Sequence, residues 1–136
     1  MHKSVKISSI FLFVLLSFSC MPDHSASVER SIKPKGEKIY KKMCAACHQL
    51  DGKGVGNFPT LVNSDYMLMD TERTIKTILY GTEHSIIVNG VEYPGSTMPH
   101  FDYLSNNEIA EIANYILNSW GNNGGIVTPE MVASNR

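Results

Sequence analysis

The pentapeptide Cys44-Ala45-Ala46-Cys47-His48 constrains this chain more than any other feature of its sequence. Cysteines three residues apart lie on one face of a helix, and the histidine that follows can offer a ring nitrogen to a metal. This spacing suits two thioether bonds to the vinyl groups of one haem, with His48 bound to the iron. The pattern therefore predicts one covalent haem c held by Cys44, Cys47 and His48.

Three other interpretations of the two cysteines stay open at this stage. A structural zinc site needs four ligands, and only His84 or His100 is available to complete the set. A thioredoxin-like redox pair needs a βαβ setting, which the sequence does not indicate. A structural disulfide is compatible with an oxidising compartment.

The first 19 residues have the pattern of an export signal. Basic residues precede an apolar run of about 12 residues, from Ile7 to Phe18, which is too short to cross a bilayer as a helix. The alternative is a buried core helix. The run ends in a segment that resembles a bacterial lipobox, with Ser17 where leucine is usual, and the resemblance implies a lipid on Cys20. The other interpretation is a plain signal peptide cleaved near Ser19.

The amount and the distribution of charge give two indications about binding partners. The 136 residues include 12 Lys or Arg and 13 Asp or Glu, so no basic excess suggests nucleic-acid binding. The charge is uneven, with a net of +4 over residues 33–53 and −6 over residues 54–136. Such a dipole would orient a docking partner. Alternatively, Lys41 and Lys42 only complement the C-terminal end of a helix.

Apolar periodicity and capping residues predict three main helices. The first is expected from Pro34, which suits a helix start, to Cys47. The second should run from Asp70 or Thr71 to Tyr80, where a glycine ends it. The third follows a capping box at 105–108 and carries an apolar stripe to Trp120.

The remaining segments are shorter. Residues 20–33 lack periodicity and are predicted to be a tether or linker before a domain over 34–121. Ile86–Tyr93 should form a hairpin, because Asn89-Gly90 suits a type I′ turn. In the tail, residues 122–136, Thr128-Pro129 is expected to cap one further helical turn, with the tail packed on or beside the domain.

From Lys33 to Trp120 the sequence resembles the class I c-type cytochromes. The resemblance is carried by the haem motif, by a glycine and an aromatic ahead of it, by two last-helix positions that meet them, and by the Gly95–Pro99 loop. The glycine and aromatic are Gly36 and Tyr40, and the last-helix positions are Ile112 and Tyr115. The resemblance implies an all-α cytochrome c fold, with three main helices around one haem and a small hairpin before the axial methionine.

The same resemblance implies roles for two loop residues. Met98 matches the methionine that the family brings to the iron, and Pro59 matches the proline whose carbonyl accepts a hydrogen bond from the proximal histidine. Residues 118–121 and 127–130 also resemble haem domains that accompany periplasmic copper nitrite reductases and quinoprotein dehydrogenases. The expected haem-binding set is therefore Cys44, Cys47, His48, Pro59 and Met98, with His48 and Met98 on the iron.

The residues themselves leave several candidates for the sixth iron ligand. Met98 is favoured, since a Gly/Ser/Thr/Pro loop gives a buried methionine few apolar neighbours. Met67 and Met69 precede the second helix and are interpreted as core or haem-contact residues. His100 is close enough along the chain to substitute for Met98, whereas His84 is expected at the surface.

The expected function follows from the ligand set. Iron held by one histidine and one methionine has no free site for a substrate, so the chain is predicted to exchange electrons with redox partner proteins. We expect no catalytic residues and no small-molecule substrate, and an exported, periplasmic lipoprotein. Two alternatives are a peroxidase or gas sensor with an open sixth site, and a fixed cytochrome subunit of a larger oxidoreductase.

Overall fold

The structure, a computed structural model, describes residues 24–95 and 98–136, with side chains from Pro34 onward. The predicted export signal, Cys20 and two residues of the methionine loop, Ser96 and Thr97, lie outside the described residues. The described chain is mostly helical, with one two-stranded antiparallel sheet. The elements are α1 (His24–Met43), α2 (Ala45–His48), α3 (Asp65–Leu68), α4 (Thr71–Tyr80), β1 (Ile86–Val88), β2 (Val91–Tyr93), α5 (Asn106–Leu117) and α6 (Pro129–Ala133).

Helix α1 begins earlier and ends earlier than predicted. It starts at His24, so Pro34 lies inside the helix rather than at its start. Residues 24–33 contain neither glycine nor proline, and nothing in them prevents the helical backbone from extending towards the N-terminus. At the other end the helix stops at Met43, and after a turn at Cys44 the short helix α2 carries the rest of the motif.

The packing of α1 against α5 is the most extensive contact between two elements. Gly36 on α1 faces Tyr115 on α5, as the resemblance implies, and also the backbone of Glu111, which was not predicted. Tyr40, one turn further along, is fully buried, with its ring centroid 5.2 Å from that of Tyr115 and 5.1 Å from that of Trp120. The two helices thus meet across a glycine contact and an aromatic cluster.

The predicted bounds of the second helix are confirmed by α4. The Asp70 side chain accepts a hydrogen bond from the Arg73 N–H at the start, and Gly81 ends the helix at a φ of 72° that favours glycine. Its predicted stripe of Ile75, Ile78 and Leu79 is buried. The single turn α3 just before it was not predicted, because four residues are too few to show helical periodicity.

The hairpin is confirmed, and its turn is tied to α3. Asn89 and Gly90 have φ of 50° and 80°, the two positive values that a type I′ turn requires. The Asp65 and Asn89 backbone N–H groups each donate to the other residue's side-chain oxygen, at 3.0 and 2.7 Å. This reciprocal pair fixes the hairpin to the rest of the fold.

Helix α5 starts at the predicted capping box, in which Ser105 and Glu108 bond to each other. It ends at Leu117, three residues before the predicted end at Trp120. The Asn118 side chain bonds back to the Asn114 carbonyl, and Leu117 accepts from Gly124, so the chain turns here. Trp120 lies beyond the helix but still packs against the core. For this reason the apolar pattern in the sequence extends past the end of α5.

The C-terminal tail packs along α5. The Asn114 side chain exchanges two hydrogen bonds with the backbone of Val127, and Val127 and Val132 are buried. The predicted turn is present as α6, where the Thr128 hydroxyl accepts from Met131.

Among the residues that the structure describes, no helix combines the length and the apolar character needed to cross a membrane.

Candidate haem site

An apolar cleft opens beside the cysteine motif. A second apolar cavity adjoins it on the core side, and the two share residues from the motif, the following loop, the hairpin and the methionine loop. These shared residues are Cys44, His48, Pro59, Ile86, Met98 and Phe101. Apolar clefts with a few polar groups are typical of cofactor sites.

The two cysteines of the motif both line this cleft. The Cys44 N–H donates to the Tyr40 carbonyl at 2.8 Å, which continues the α1 path, and the His48 N–H donates to the Cys44 carbonyl at 2.9 Å. Both cysteines are half-buried and free, and both line the cleft. The helical turn therefore brings Cys44, Cys47 and His48 to the same cleft.

The alternative interpretations of the cysteines find no support here. Cys44 and Cys47 do not form a disulfide. Burial, and then the nearby Cys47, raise the pKa of the Cys44 thiol to about 12, which disfavours the thiolate that a zinc site uses. Within residues 24–95 and 98–136, no group of three or more His, Cys, Asp or Glu side chains is placed to hold a metal ion.

His48 is held in one tautomer by its surroundings. The residue is 8% exposed, and Nδ1 lies 3.0 Å from the Pro59 carbonyl oxygen. Because a carbonyl can only accept, Nδ1 carries the proton, and the lone pair is on Nε2. Burial lowers the pKa of His48, against an opposing effect of the Pro59 bond, so the ring stays neutral at physiological pH. A neutral imidazole with a free Nε2 is ready to bind iron.

The loop that carries Pro59 is fixed by backbone bonds. The Gly54 N–H donates to the His48 carbonyl at 3.0 Å, and the Leu61 N–H donates to the Gly52 carbonyl at 2.7 Å. These bonds close residues 48–61 into a compact turn, so the acceptor for His48 has a defined place.

Met98 lines both cavities together with His48. It is half-buried, and its carbonyl accepts from the Thr82 N–H at 3.4 Å, just after α4. Gly81 makes this approach possible, since a Cβ there would lie 2.3 Å from the Met98 oxygen. The end of α4 thus holds the methionine loop against the cleft.

The other predicted candidates for the sixth ligand are placed differently. Met67 is a buried core residue that lines the inner cavity, as expected. Met69 is 82% exposed, so its interpretation as a core or haem-contact residue is wrong; it follows the end of α3, where the chain turns outward. His84 is exposed as predicted, and His100 is exposed, pairs with Asp102 at 2.7 Å and lines neither cavity.

Sequence reasoning missed several residues that shape the cleft. Phe101 lines both cavities, and its N–H donates to the carbonyls of Ile78 and Leu79 at the end of α4. An aromatic residue just after the methionine loop was a signal for this role. Phe58 and Tyr93 also line the cleft, but their part depends on contacts between distant segments.

The cleft therefore fits a haem. Its lining is mostly apolar and includes two cysteines, one histidine and one methionine. These described residues could supply two thioether attachments and two iron ligands.

The family model described as Cytochrome c matches residues 34–120. The chain is 38% identical over 91 residues to cytochrome c-552 of Thermus thermophilus, covering 63% of this chain and 68% of that protein. It is 33% identical over 105 residues to the fructose dehydrogenase cytochrome subunit of Gluconobacter japonicus, covering 71% of this chain and 21% of that subunit. It is also 29% identical over 96 residues to the cytochrome c subunit of a quinone alcohol dehydrogenase from Gluconobacter oxydans, covering 65% of this chain and 19% of that subunit.

Proposed function

Because the chain belongs to the cytochrome c family and carries covalently bound haem c, we propose that it is a periplasmic electron-transfer protein with a single haem. Cys44 and Cys47 would hold the haem through thioether bonds, and His48 and Met98 would bind its iron. The bound haem supplies a one-electron Fe(III)/Fe(II) couple.

The observation that carries this proposal is the state of His48. Its ring is buried, neutral and oriented by the Pro59 carbonyl, with Nε2 free at a cleft that Met98 also lines. A hydrogen bond at Nδ1 fixes the ring plane and increases the basicity of Nε2. His48 is therefore prepared to act as a strong axial ligand without a rearrangement.

Met98 completes the ligand set and closes the iron to other molecules. Its thioether is a soft ligand that favours Fe(II) and raises the reduction potential. With both axial positions taken, no site is left for peroxide or a gas, so electron exchange is the function that this geometry supports. The apolar walls of the cleft exclude water and limit the solvent rearrangement that accompanies each electron transfer.

The partners are proposed to be redox proteins. Two of the similar proteins are cytochrome subunits of dehydrogenases, and the chain covers about a fifth of each. This likeness supports a second candidate role, in which the chain is a cytochrome subunit of a larger oxidoreductase. The proposed location is the periplasm, with a lipid on Cys20 as the anchor.

Absorption and EPR spectra of the purified ferric protein test the proposal. A low-spin ferric signal, together with the weak near-infrared band of methionine-to-Fe(III) coordination, is expected. A high-spin signal without that band would favour an open sixth site. Co-purification of a catalytic protein would distinguish a complex subunit from a free carrier.

A further inference from the structure

Two side chains from separate elements hold the backbone directly after His48. The hydroxyl of Tyr40, on α1, donates to the Gln49 carbonyl at 2.6 Å. The indole N–H of Trp120, after α5, donates to the next carbonyl, that of Leu50, at 3.1 Å. Tyr40 is fully buried, so water does not compete for its bond.

The backbone at this point needs such support. Gln49 has a φ of 63°, in a region that residues other than glycine rarely adopt, and it is the residue that turns the chain away from α2. A strained conformation persists only where neighbouring groups fix it. Tyr40 and Trp120 each supply one side-chain hydrogen bond to this turn.

Hydrogen bonds also connect this turn to the loop that carries Pro59, whose carbonyl accepts from the His48 ring. The Gly52 N–H donates to the Gln49 carbonyl at 3.2 Å, and the Gly52 carbonyl accepts from the Leu61 N–H, two residues after Pro59. Gly52 lies against the Trp120 ring, where a Cβ would be 2.6 Å from Cε3. The aromatic residues therefore support both the residue after His48 and the loop that carries Pro59.

We propose that Tyr40 and Trp120 are positioning residues for the His48 imidazole, acting through the backbone of residues 49–61. This inference rests on the proposed role of His48 as the axial ligand. The two bonds keep the Pro59 carbonyl in line with Nδ1, and through that bond they set the basicity of Nε2. A more basic imidazole stabilises Fe(III), so these bonds hold the reduction potential down.

The test compares single-group deletions within one aromatic cluster. Tyr40→Phe removes only the hydroxyl, and Trp120→Phe removes the indole N–H while keeping an aromatic ring. Tyr115→Phe is the matched control: its ring lies 5.2 Å from that of Tyr40 and 5.4 Å from that of Trp120, but its hydroxyl is not the donor to either the Gln49 or the Leu50 carbonyl. The holoproteins are compared by redox titration, by NMR of the His48 ring protons and by hydrogen exchange of the Leu61 amide.

Tyr40→Phe and Trp120→Phe should each raise the ratio of reduced to oxidised protein at a fixed potential by about two- to fivefold. This change corresponds to part of the free energy of one hydrogen bond. Both should shift the His48 ring resonances of the ferric protein and speed exchange at Leu61, whereas Tyr115→Phe should leave all three readouts unchanged. If Tyr40→Phe fails to fold, Trp120→Phe carries the test.

Two outcomes would overturn the inference: no change in the titration and the ring resonances of either variant, or an equal change in Tyr115→Phe, which would assign the effect to packing. The wild-type spectra keep this result separate from the proposed function. Failure of the function appears as a missing methionine band in the wild type, before any substitution is made.

Discussion

Gly36 on α1 and Glu111 on α5 are in backbone contact, so close that a Cβ at Gly36 would lie 2.1 Å from the Glu111 carbonyl oxygen. The same Cβ would be 2.7 Å from the Cβ of Tyr115. Neither neighbour is the flexible end of a side chain, so only a shift of a whole helix could make room. The crossing of the two helices therefore depends on the absence of a side chain at this residue.

Gly36→Val should destabilise the protein by about 3 kcal/mol or more, because the added side chain forces α1 away from α5. The measurement is a thermal or denaturant unfolding curve of the holoprotein. Gly125→Ala is the control, since the nearest atom there is the Thr71 hydroxyl at 3.3 Å, and it should change stability by no more than about 0.5 kcal/mol. Equal stability of Gly36→Val and the wild type would contradict the proposed contact.

Local patterns predicted the parts of the fold that local chemistry determines. The capping box at Ser105, the Asp70 cap and the Asn89-Gly90 turn each contain their own hydrogen bonds or backbone angles within a few residues. The haem motif belongs to the same class, because one helical turn brings its two cysteines and its histidine together. These features could be predicted without knowledge of distant segments.

The errors and omissions lie where the outcome depends on contacts that the apolar pattern does not show. Helix α5 ends at Leu117 because Gly124 and the Asn118 side chain satisfy its last carbonyls, and the apolar stripe does not show this. The bond from Trp120 to Leu50 joins residues 70 positions apart. Met69 lies next to a core helix in sequence but faces solvent, which only the turn after α3 determines.

Substituting either motif cysteine tests the covalent attachment. Cys44→Ala and Cys47→Ala should each remove one thioether bond and reduce the haem that survives acid–acetone extraction, and the double variant should retain none. Ala46→Ser, at an exposed position between them, should keep the wild-type amount. Haem content after extraction is read from the absorption spectrum of the denatured protein. Complete loss of haem from the wild type would refute the attachment.

Acidic pH should weaken the start of α5. The Ser105 hydroxyl and backbone N–H donate to the Glu108 carboxylate at 2.7 and 2.9 Å, which lowers the pKa of Glu108 below its usual 4.5. The unfolded chain then binds this proton more readily than the folded one. The contribution to stability is complete above pH 4.5 and is lost as the pH falls through the lower folded value.

Glu108→Gln should therefore reduce the difference in melting temperature between neutral pH and about pH 3. Ser105→Ala should cost about 1 kcal/mol at neutral pH and should show a similarly reduced acid dependence, because it removes a partner of the same carboxylate. A pH dependence in both variants identical to that of the wild type would show that the capping box does not titrate with folding.

The proposed anchor is tested at Cys20, in the full-length chain expressed with its own N-terminus. If Cys20 is lipidated, the wild type should partition into the detergent phase, and Cys20→Ser should move to the aqueous phase or accumulate unprocessed. Cys44→Ala, which alters a different cysteine, should partition like the wild type. A wild type found wholly in the aqueous phase with an unmodified N-terminus would indicate a cleaved signal peptide instead.

Met98 is the residue on which the electron-transfer proposal most depends. Met98→Ala should lose the near-infrared band of methionine-to-Fe(III) coordination, lower the reduction potential and allow CO to bind the ferrous protein. Met67→Ala should keep the band while losing about 2–5 kcal/mol of stability, since Met67 is buried in the core. Met69→Ala, at an exposed position, should change neither property.

The three methionine variants separate ligation from packing because their side chains differ in placement. Only Met98 lines both cavities beside His48, and only Met67 is buried in the core. A band retained in Met98→Ala would assign the ligand to another methionine, and its loss in Met67→Ala would identify that residue. If the wild type itself lacks the band and binds CO, the sixth site is open, and a peroxidase or gas sensor becomes the better description. His100 would bind in place of Met98 only if its exposed ring moved into the cleft, since its Nδ1 bond to Asp102 leaves Nε2 available. His100→Ala would then restore an open site.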